Sequence, residues 1–146
     1  MMAFENPPRE TIKRILEEAG NIAVVGLSDK PERTSHMVAA AMQKRGYRII
    51  PVNPNVRGTI LGETCYPSLK DIPEPVDIVN VFRRSEETPP IAREAAEIGA
   101  RVLWLQQGIV NEEAAAIAGE AGLVVIMDRC IKVEDAILRP NRPASR

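Results

Sequence analysis

Five short segments of the sequence carry polar, glycine or basic residues directly after apolar runs that are typical of buried strands. In parallel α/β proteins, ligands bind beyond the carboxyl ends of such strands. Hydroxyl groups, basic side chains and free backbone N–H groups are good donors for phosphate. The segments are residues 26–30, 51–54, 82–85, 106–108 and 128–130. Their residue types favour the binding of an anion or a nucleotide.

The first segment joins a nearly uninterrupted apolar run to a predicted helix. Gly26 would let a ligand approach the backbone closely, and Ser28, Lys30 and Arg33 would add hydroxyl and cationic donors. The alternative is a solvated turn whose glycine is needed for packing. The segment is not the dinucleotide-binding fingerprint, which requires glycine where Ser28 and Pro31 stand, and it is not a Walker A loop.

The end of the second predicted strand bears on which nucleotide fits. Enzymes that bind NAD usually place Asp or Glu about 20 residues beyond the glycine loop, where it binds the ribose 2′-hydroxyl. Here the strand ends in Pro51, Val52, Asn53 and Pro54, without a carboxylate. A nucleotide with a phosphorylated ribose, such as CoA or NADP, therefore fits better than NAD.

Side chains capable of covalent or metal chemistry are few. His36 is the only histidine, which excludes a multi-histidine metal site; it either flanks the phosphate site or is structural. Cys65 and Cys130 form neither a disulfide framework nor a zinc cluster. Cys130 could face the far end of a ligand or be an inert buried thiol, and Cys65 has less support. Gln106 and Gln107 could hydrogen bond to an acyl or amide group.

Strand and helix patterns alternate along the whole chain, which predicts an α/β fold. Strands joined by right-handed helical crossovers are parallel, so we expect one doubly wound, mostly parallel Rossmann-like sheet with helices on both faces. The predicted strands are residues 21–27, 47–52, 76–82, 101–105 and 123–127, with a possible short strand near 59–61. The predicted helices are residues 7–19, 35–45, 88–98, a segment capped by Asn111, and 133–138.

Composition excludes several classes of protein. The chain has 146 residues, of which 45% are hydrophobic and 27% charged, as in one ordinary globular domain. A formal net charge of -1 and an aromatic content of 3% do not suit a nucleic-acid binder. The absence of a long apolar run and of a signal-peptide pattern predicts a cytoplasmic protein without a membrane partner. We expect a single domain over residues 1–138 and a mobile tail over residues 139–146.

Together the segments resemble those of a known family, the stand-alone CoA-binding proteins. These are single domains similar to the N-terminal CoA-binding domain of the succinyl-CoA synthetase α subunit. The resemblance covers about residues 19–134 and rests on several motifs that occur in the same order. The motifs are residues 26–28 with Pro31, Arg33 and Ser35, then 46–47, 50–54, 76–83, 104–108 and 128–130.

The resemblance implies a role for each segment in binding coenzyme A. The loop from Ser28 to Pro31 would bind the pyrophosphate, the turn at residues 51–54 would line the adenosine end, and residues 81–83 would contact the nucleotide. Arg83 and Arg84 could also neutralise phosphate, or they could form a solvated pair at a helix start. The residues assigned to CoA are Gly26, Ser28, Asp29, Lys30, Pro31, Arg33, Ser35, Pro51, Asn53, Val81, Phe82 and Arg83.

The resemblance favours a small protein that binds CoA or acyl-CoA without complete ligase machinery, because the synthetase carries its phosphorylated histidine in a second domain. We therefore predict no catalytic residue and no metal ligand. One alternative is an enzyme, either an NADP-type oxidoreductase or an acyl-CoA-modifying enzyme that uses Cys130. Another is a protein that interacts through a degenerate nucleotide site. Self-association and an unidentified protein partner are both compatible with the sequence.

Overall fold

The computed structural model describes residues 4–141, in which helices and strands alternate along the chain. Short 3-10 turns occur at Leu69–Asp71 and Ser85–Glu87. The elements are α1 (Arg9–Glu18), β1 (Asn21–Val25), α2 (Thr34–Lys44), β2 (Arg48–Val52), β3 (Thr59–Ile60), β4 (Glu63–Thr64), β5 (Ile78–Val81), α3 (Thr88–Glu97), β6 (Val102–Leu105), α4 (Glu112–Glu120), β7 (Val124–Ile126) and α5 (Ile131–Leu138).

Five strands form one parallel sheet in the order β2-β1-β5-β6-β7, which confirms the predicted fold class. The inner strands β5 and β6 are buried at every position, and β1 is buried at all but its first. A strand that is covered on both faces needs apolar side chains at successive positions. This is why the sequence shows continuous apolar runs rather than alternating ones.

Helices cover both faces of the sheet. Val24 and Trp104 belong to the core that includes α1, α2 and α5, whereas Val25 and Leu105 belong to the core that includes α3 and α4. Successive strand residues point to opposite faces, so neighbouring residues serve different layers. The prediction of helices on both faces is confirmed.

The strand order reverses between β1 and β5. From β1 the chain moves outward to the edge strand β2, and it then returns to the other side of β1 as β5. The two strands run in register, with Val25 opposite Val81, so the loops that follow them leave the sheet side by side. A ligand of a doubly wound sheet is expected beyond the carboxyl ends at this point.

The structure adds details that the sequence patterns did not resolve. The possible strand near residues 59–61 is β3, and it pairs with β4 in a small antiparallel hairpin. Asn111 caps α4 as predicted, since its side chain accepts a hydrogen bond of 2.8 Å from the Ala114 N–H. Helix α5 begins at Ile131 and not at residue 133, because the fully buried Ile131 anchors its first turn in the core.

The predicted mobile tail begins inside the described residues and ends outside them. Arg139 donates hydrogen bonds to the Leu16 carbonyl and, at 2.9 Å, to the Tyr47 hydroxyl. Residues 142–146 lie outside the described part, so the mobility of the tail stays a prediction. Within residues 4–141, no helix is both long enough and apolar enough to span a bilayer.

Candidate functional site

The loop after β1 is an ordered turn braced by its own side chains. The Ser28 N–H donates to the Ser35 hydroxyl at 3.0 Å, and the Lys30 N–H donates to the Ser28 hydroxyl at 3.1 Å. The Arg33 N–H closes the turn on the Lys30 carbonyl at 3.0 Å. Ser28 and Ser35 therefore shape the loop, and the N–H groups of Ser28 and Lys30 are already occupied.

The start of α2 is the main set of open donors at this edge of the sheet. The N–H groups of Thr34, Ser35 and His36 donate to no partner among residues 4–141. The N-cap residue of α2, Arg33, makes no side-chain capping hydrogen bond. The positive end of the helix dipole lies at the same place. Unpaired N–H groups at a helix N-terminus form a natural site for phosphate.

Two basic side chains flank this helix start without an acidic partner. Lys30 and Arg33 are exposed, and neither takes part in an ion pair within the described part of the chain. Asp29 and Pro31 are exposed beside them, and His36 is half-buried in the first turn of α2. No acidic side chain in the described part of the chain holds these two cations, and their contact with an anion stays a prediction.

Gly26 is required for the packing of the protein backbone. Its φ is +86°, and a Cβ atom built there would lie 2.4 Å from the Phe82 carbonyl oxygen and 2.9 Å from the Arg83 Cδ. No side chain fits at such distances, because the obstacle is backbone. The glycine lets the loops after β1 and β5 run side by side, which is the packing role that the sequence left open.

The turn after β2 is tied to the loop after β1. The Asn53 amide donates to the Leu27 carbonyl at 3.0 Å, and its Oδ1 accepts a hydrogen bond from the Asn55 N–H at 2.9 Å. Pro51 is buried in β2, an edge strand, where proline removes no bond from the interior of the sheet. Both ends of the Asn53 side chain have structural partners, so a ligand contact there stays a prediction.

The third predicted contact segment follows β5. Val81 is fully buried, so a contact of its side chain with a ligand has no support, whereas Phe82 and Arg83 are half-buried and their contact stays a prediction. Arg83 Nε donates to Glu87 at 2.8 Å and Arg84 donates to the same carboxylate at 3.0 Å. These two hydrogen bonds lower the pKa of Glu87, so both arginines face an ionised partner in this structure.

Sequence reasoning missed Glu87, and the signal that could have found it is its spacing. Residues four apart on a helical turn are neighbours, and Glu87 follows Arg83 by four positions. Its carboxylate competes with phosphate for both arginines. The predicted anion contacts therefore differ in availability. Arg33 and Lys30 have no ion-pair partner in the described part of the chain, whereas Arg83 and Arg84 are both paired with Glu87.

A recess of about 200 Å³ lies between these loops and α3. Apolar side chains form much of its lining, and Arg83 and Glu87 stand among its polar residues. This volume suits a ring system better than a whole nucleotide, since pockets for drug-sized ligands start at about 300 Å³. The recess is lined by Val25, Val52, Pro54, Pro67, Ser68, Leu69, Arg83, Glu87, Ile91 and Glu94.

The ends of β6 and β7 are joined by hydrogen bonds rather than by apolar contacts alone. The Gly108 N–H donates to the Asp128 carboxylate at 2.7 Å, and the Trp104 indole donates to the Arg129 carbonyl at 2.9 Å. Gln106 is buried here, whereas Gln107 is exposed. The two glutamines that the sequence treated together thus have different environments.

The two cysteines also differ. Cys65 is buried beside the turn after β2, where its thiol lies 3.7 Å from the Asn53 carbonyl oxygen, and burial raises its pKa. Cys130 is half-buried at the start of α5 and caps that helix without a side-chain hydrogen bond. No group of three His, Cys, Asp or Glu residues able to hold a metal ion occurs within residues 4–141.

Comparison with known proteins shows similarity in both sequence and fold. The family described as CoA binding domain matches residues 20–136, which include every strand of the main sheet. Protein YneT of Bacillus subtilis, described as uncharacterized, is 56% identical over 136 residues, covering 93% of this chain and all of that protein. A solved structure, a hypothetical protein from Pyrococcus horikoshii, superposes with a TM-score of 0.88 at 36% identity, covering 94% of this chain and 99% of the other.

A larger enzyme contains a related segment. An ADP-forming acetate–CoA ligase of Archaeoglobus fulgidus is 31% identical over 95 residues, which cover 64% of this chain but only 14% of the ligase. The likeness thus concerns one part of that enzyme, in keeping with the resemblance drawn from the motifs. Because the family model matches most of the length of this chain, the chain is a member of the CoA-binding domain family, related to the CoA-binding domains of ADP-forming acyl-CoA synthetases.

Proposed function

We propose that this protein binds CoA or an acyl-CoA across the carboxyl edge of its sheet, with the pyrophosphate at the start of α2. The observation that carries the proposal is the combination of open N–H groups on Thr34, Ser35 and His36 with the unpaired cations Lys30 and Arg33. Backbone donors and a helix dipole favour a phosphate group even on a protein without net positive charge.

The adenosine end of the ligand is assigned to the recess between β1, β2 and α3. Val25, Val52 and Ile91 supply an apolar surface for the adenine ring. Arg83 lines the same recess and is 34% exposed, so it can reach a ribose phosphate at the cost of its bond to Glu87. The family assignment supports CoA as the ligand, and a phosphorylated ribose agrees with the lack of a carboxylate after β2.

The proposal is tested by measuring thermal midpoints and calorimetric affinities with CoA, dephospho-CoA, 3′,5′-ADP, NADP and NAD. We expect CoA to stabilise the protein by about 2.7 kcal/mol when its concentration is about 100 times its Kd. 3′,5′-ADP should bind more weakly because it lacks both the pantetheine arm and the second phosphate of the pyrophosphate, and NAD should not bind. A midpoint unchanged by CoA would refute CoA binding, and a stronger effect of NADP would favour the oxidoreductase interpretation.

A further inference from the structure

A hollow of about 370 Å³ lies at the amino edge of the sheet, opposite the proposed phosphate site. It opens between the end of α1 and the first residues of β6 and β7. Pockets that bind small molecules have volumes from about 300 to 1,000 Å³. The hollow can therefore hold a small organic molecule, whereas the recess at the carboxyl edge, with about 200 Å³, falls below that range.

One wall of the hollow is apolar. Ile15 of α1 is half-buried there, Val102 at the start of β6 is buried, and Val124 at the start of β7 is 36% exposed. Val124 points to the same face of the sheet as Ile126, which packs in the core with α1. Helix α1 thus covers Ile126 but leaves Val124 uncovered. An apolar body placed in the hollow would remove this side chain from water, which is favourable.

The rim of the hollow carries more negative than positive charge. Among the described residues that line it, Glu18 and Asp77 are acidic and Arg101 is the one basic residue, so the formal charges sum to −1. Asp77 is held in place by the N–H groups of Gly20 and Asn21, which do not neutralise its charge. The ion pair between Glu18 and Arg101 is 3.7 Å long and joins side chains that are 54% and 64% exposed, so it is weak.

The helices add to the negative potential at this edge. Helices α1, α3 and α4 each lead into a strand of the parallel sheet, so all three end at the amino edge. The last carbonyl groups of a helix lack partners within the helix, and the negative end of its dipole lies there. None of these three helices has a basic residue in its last turn. A cation is therefore stabilised at the amino edge, and an anion is repelled.

We propose that the hollow is a second binding site, and that its ligand is a small organic cation with an ammonium group on an apolar body. The apolar body lies against Ile15, Val102 and Val124. The ammonium group lies at the rim, where it pairs with Glu18 in the field of Asp77. This ligand has the opposite charge to CoA, so the site is independent of the proposed function.

Three probes with the same phenyl ring and different head groups test the proposal on the wild-type protein. The probes are phenethylamine, which is protonated at neutral pH, phenethyl alcohol, which is neutral, and hydrocinnamate, which is an anion. We expect phenethylamine to saturate the site with a Kd of about 1 mM and to bind at least about fivefold more tightly than the alcohol, with the anion weakest. In NMR titrations the shifted backbone amides should be those of Arg101, Gly122 and Val124.

Two variants on the rim sharpen the test. Glu18→Gln removes the carboxylate and should weaken phenethylamine binding about threefold to tenfold. Glu17→Gln makes the same change one residue earlier on α1, outside the lining of the hollow, and should stay within about twofold of wild type. Arg101→Ala removes the competing cation and should strengthen phenethylamine binding about twofold to fivefold, whereas it would weaken the binding of an anion.

Several outcomes would overturn the inference. Equal binding of the three probes would show apolar contact without recognition of charge, and a Kd for phenethylamine above about 10 mM would show that there is no site. Displacement of phenethylamine by CoA would make the hollow a part of the CoA site. If the tripeptide Gly-Lys-Gly shifts the same amides at lower concentration, the occupant is a protein side chain, and if higher protein concentration alone shifts them, it is a second copy. Where a variant does not fold, the comparison of the three probes on wild type decides.

Discussion

The two edges of the parallel sheet differ in the volume of their cavities and in which polar groups have no hydrogen-bond partner within residues 4–141. The amino edge contains the larger hollow, about 370 Å³, which is bordered by Glu18, Asp77 and Arg101. Its central carboxylate is already used, because Asp77 accepts hydrogen bonds from the Gly20 and Asn21 N–H groups at 2.8 and 2.9 Å. The carboxyl edge has the smaller recess but also the open backbone donors.

The direction of the helices, and not the size of a hollow, is the reason for placing the proposed phosphate site at the carboxyl edge. In a parallel α/β sheet the crossover helices run opposite to the strands, so their N-termini all face the carboxyl edge. Positive partial charges and free N–H groups collect there, whereas the amino edge receives helix C-termini. A phosphate group is therefore stabilised at the carboxyl edge and repelled by the helix dipoles at the other.

The largest effect is expected on stability, from a substitution at the close approach of the loops after β1 and β5. Gly26→Ala should lower the free energy of unfolding by about 3–5 kcal/mol, because the new Cβ meets the Phe82 carbonyl and φ is positive. Gly122→Ala at the amino edge has a φ of +92° but no neighbour within 4 Å, and it should cost only about 1–2 kcal/mol. Equal costs in urea titrations would show that the contact with Phe82 is unimportant.

The next effect concerns anion binding at the two edges. Lys30→Ala and Arg33→Ala should each remove a charge-assisted contact worth about 1.5–3 kcal/mol, which raises the Kd for CoA about tenfold to a hundredfold. Arg101→Ala removes an exposed cation at the amino edge and should leave the Kd unchanged. Wild-type binding should also weaken as salt is added. If calorimetry showed that Arg101→Ala binds CoA as poorly as Arg33→Ala does, the placement of the ligand at the carboxyl edge would be rejected.

A smaller effect is expected at the turn after β2. Asn53→Asp replaces the donor to the Leu27 carbonyl with an oxygen and should cost about 1–3 kcal/mol of stability. Asn55→Asp introduces the same charge two residues away without losing that hydrogen bond, so it should be nearly neutral for stability. If Asn53 also lies near the ribose phosphate, Asn53→Asp weakens CoA more than dephospho-CoA, and an unchanged ratio of the two affinities would reject that orientation.

The smallest effect concerns the arginines held by Glu87. Glu87→Gln should free Arg83 and Arg84 and improve CoA affinity about twofold to fivefold, whereas Glu86→Gln, which breaks neither hydrogen bond, should change it less. Because the arginines lower the pKa of Glu87, its pairing contributes to stability at pH values above the ordinary pKa of a glutamate. That contribution is lost as pH falls through the lowered pKa of Glu87. The free energy of unfolding of Glu87→Gln, measured as a function of pH, should not show this loss.

The sequence predicted the strands well because burial on both faces leaves an unambiguous signal. Continuous apolar runs marked β1, β5 and β6, and glycines or prolines marked their ends. The start of α5 was predicted two residues too late, because the features that fix it are the burial of Ile131 and its bond to Gln106. That bond joins residues 25 positions apart, and local patterns carry no record of such a contact.

For the candidate site, residue types were predictable but their availability was not. Lys30, Arg33 and Arg83 all follow strands in the sequence, and all three were assigned to the binding of CoA. Only the structure shows that Lys30 and Arg33 are unpaired while Glu87 holds Arg83. Likewise, the hydrogen bond between Asn80 and Gln106 is visible only once β5 and β6 are paired, because the two residues are 26 positions apart in the sequence.

The sequence by itself determined the α/β fold and the family, because hydrophobic periodicity and the residues at strand ends are local properties of the chain. The tertiary structure decided which donors remain open, why position 26 must be glycine, and how the ends of β5, β6 and α5 form one network. These features depend on which strands become neighbours. Strand order is set by the packing of the whole domain, so the chemistry that two loops make together appears only in the folded chain.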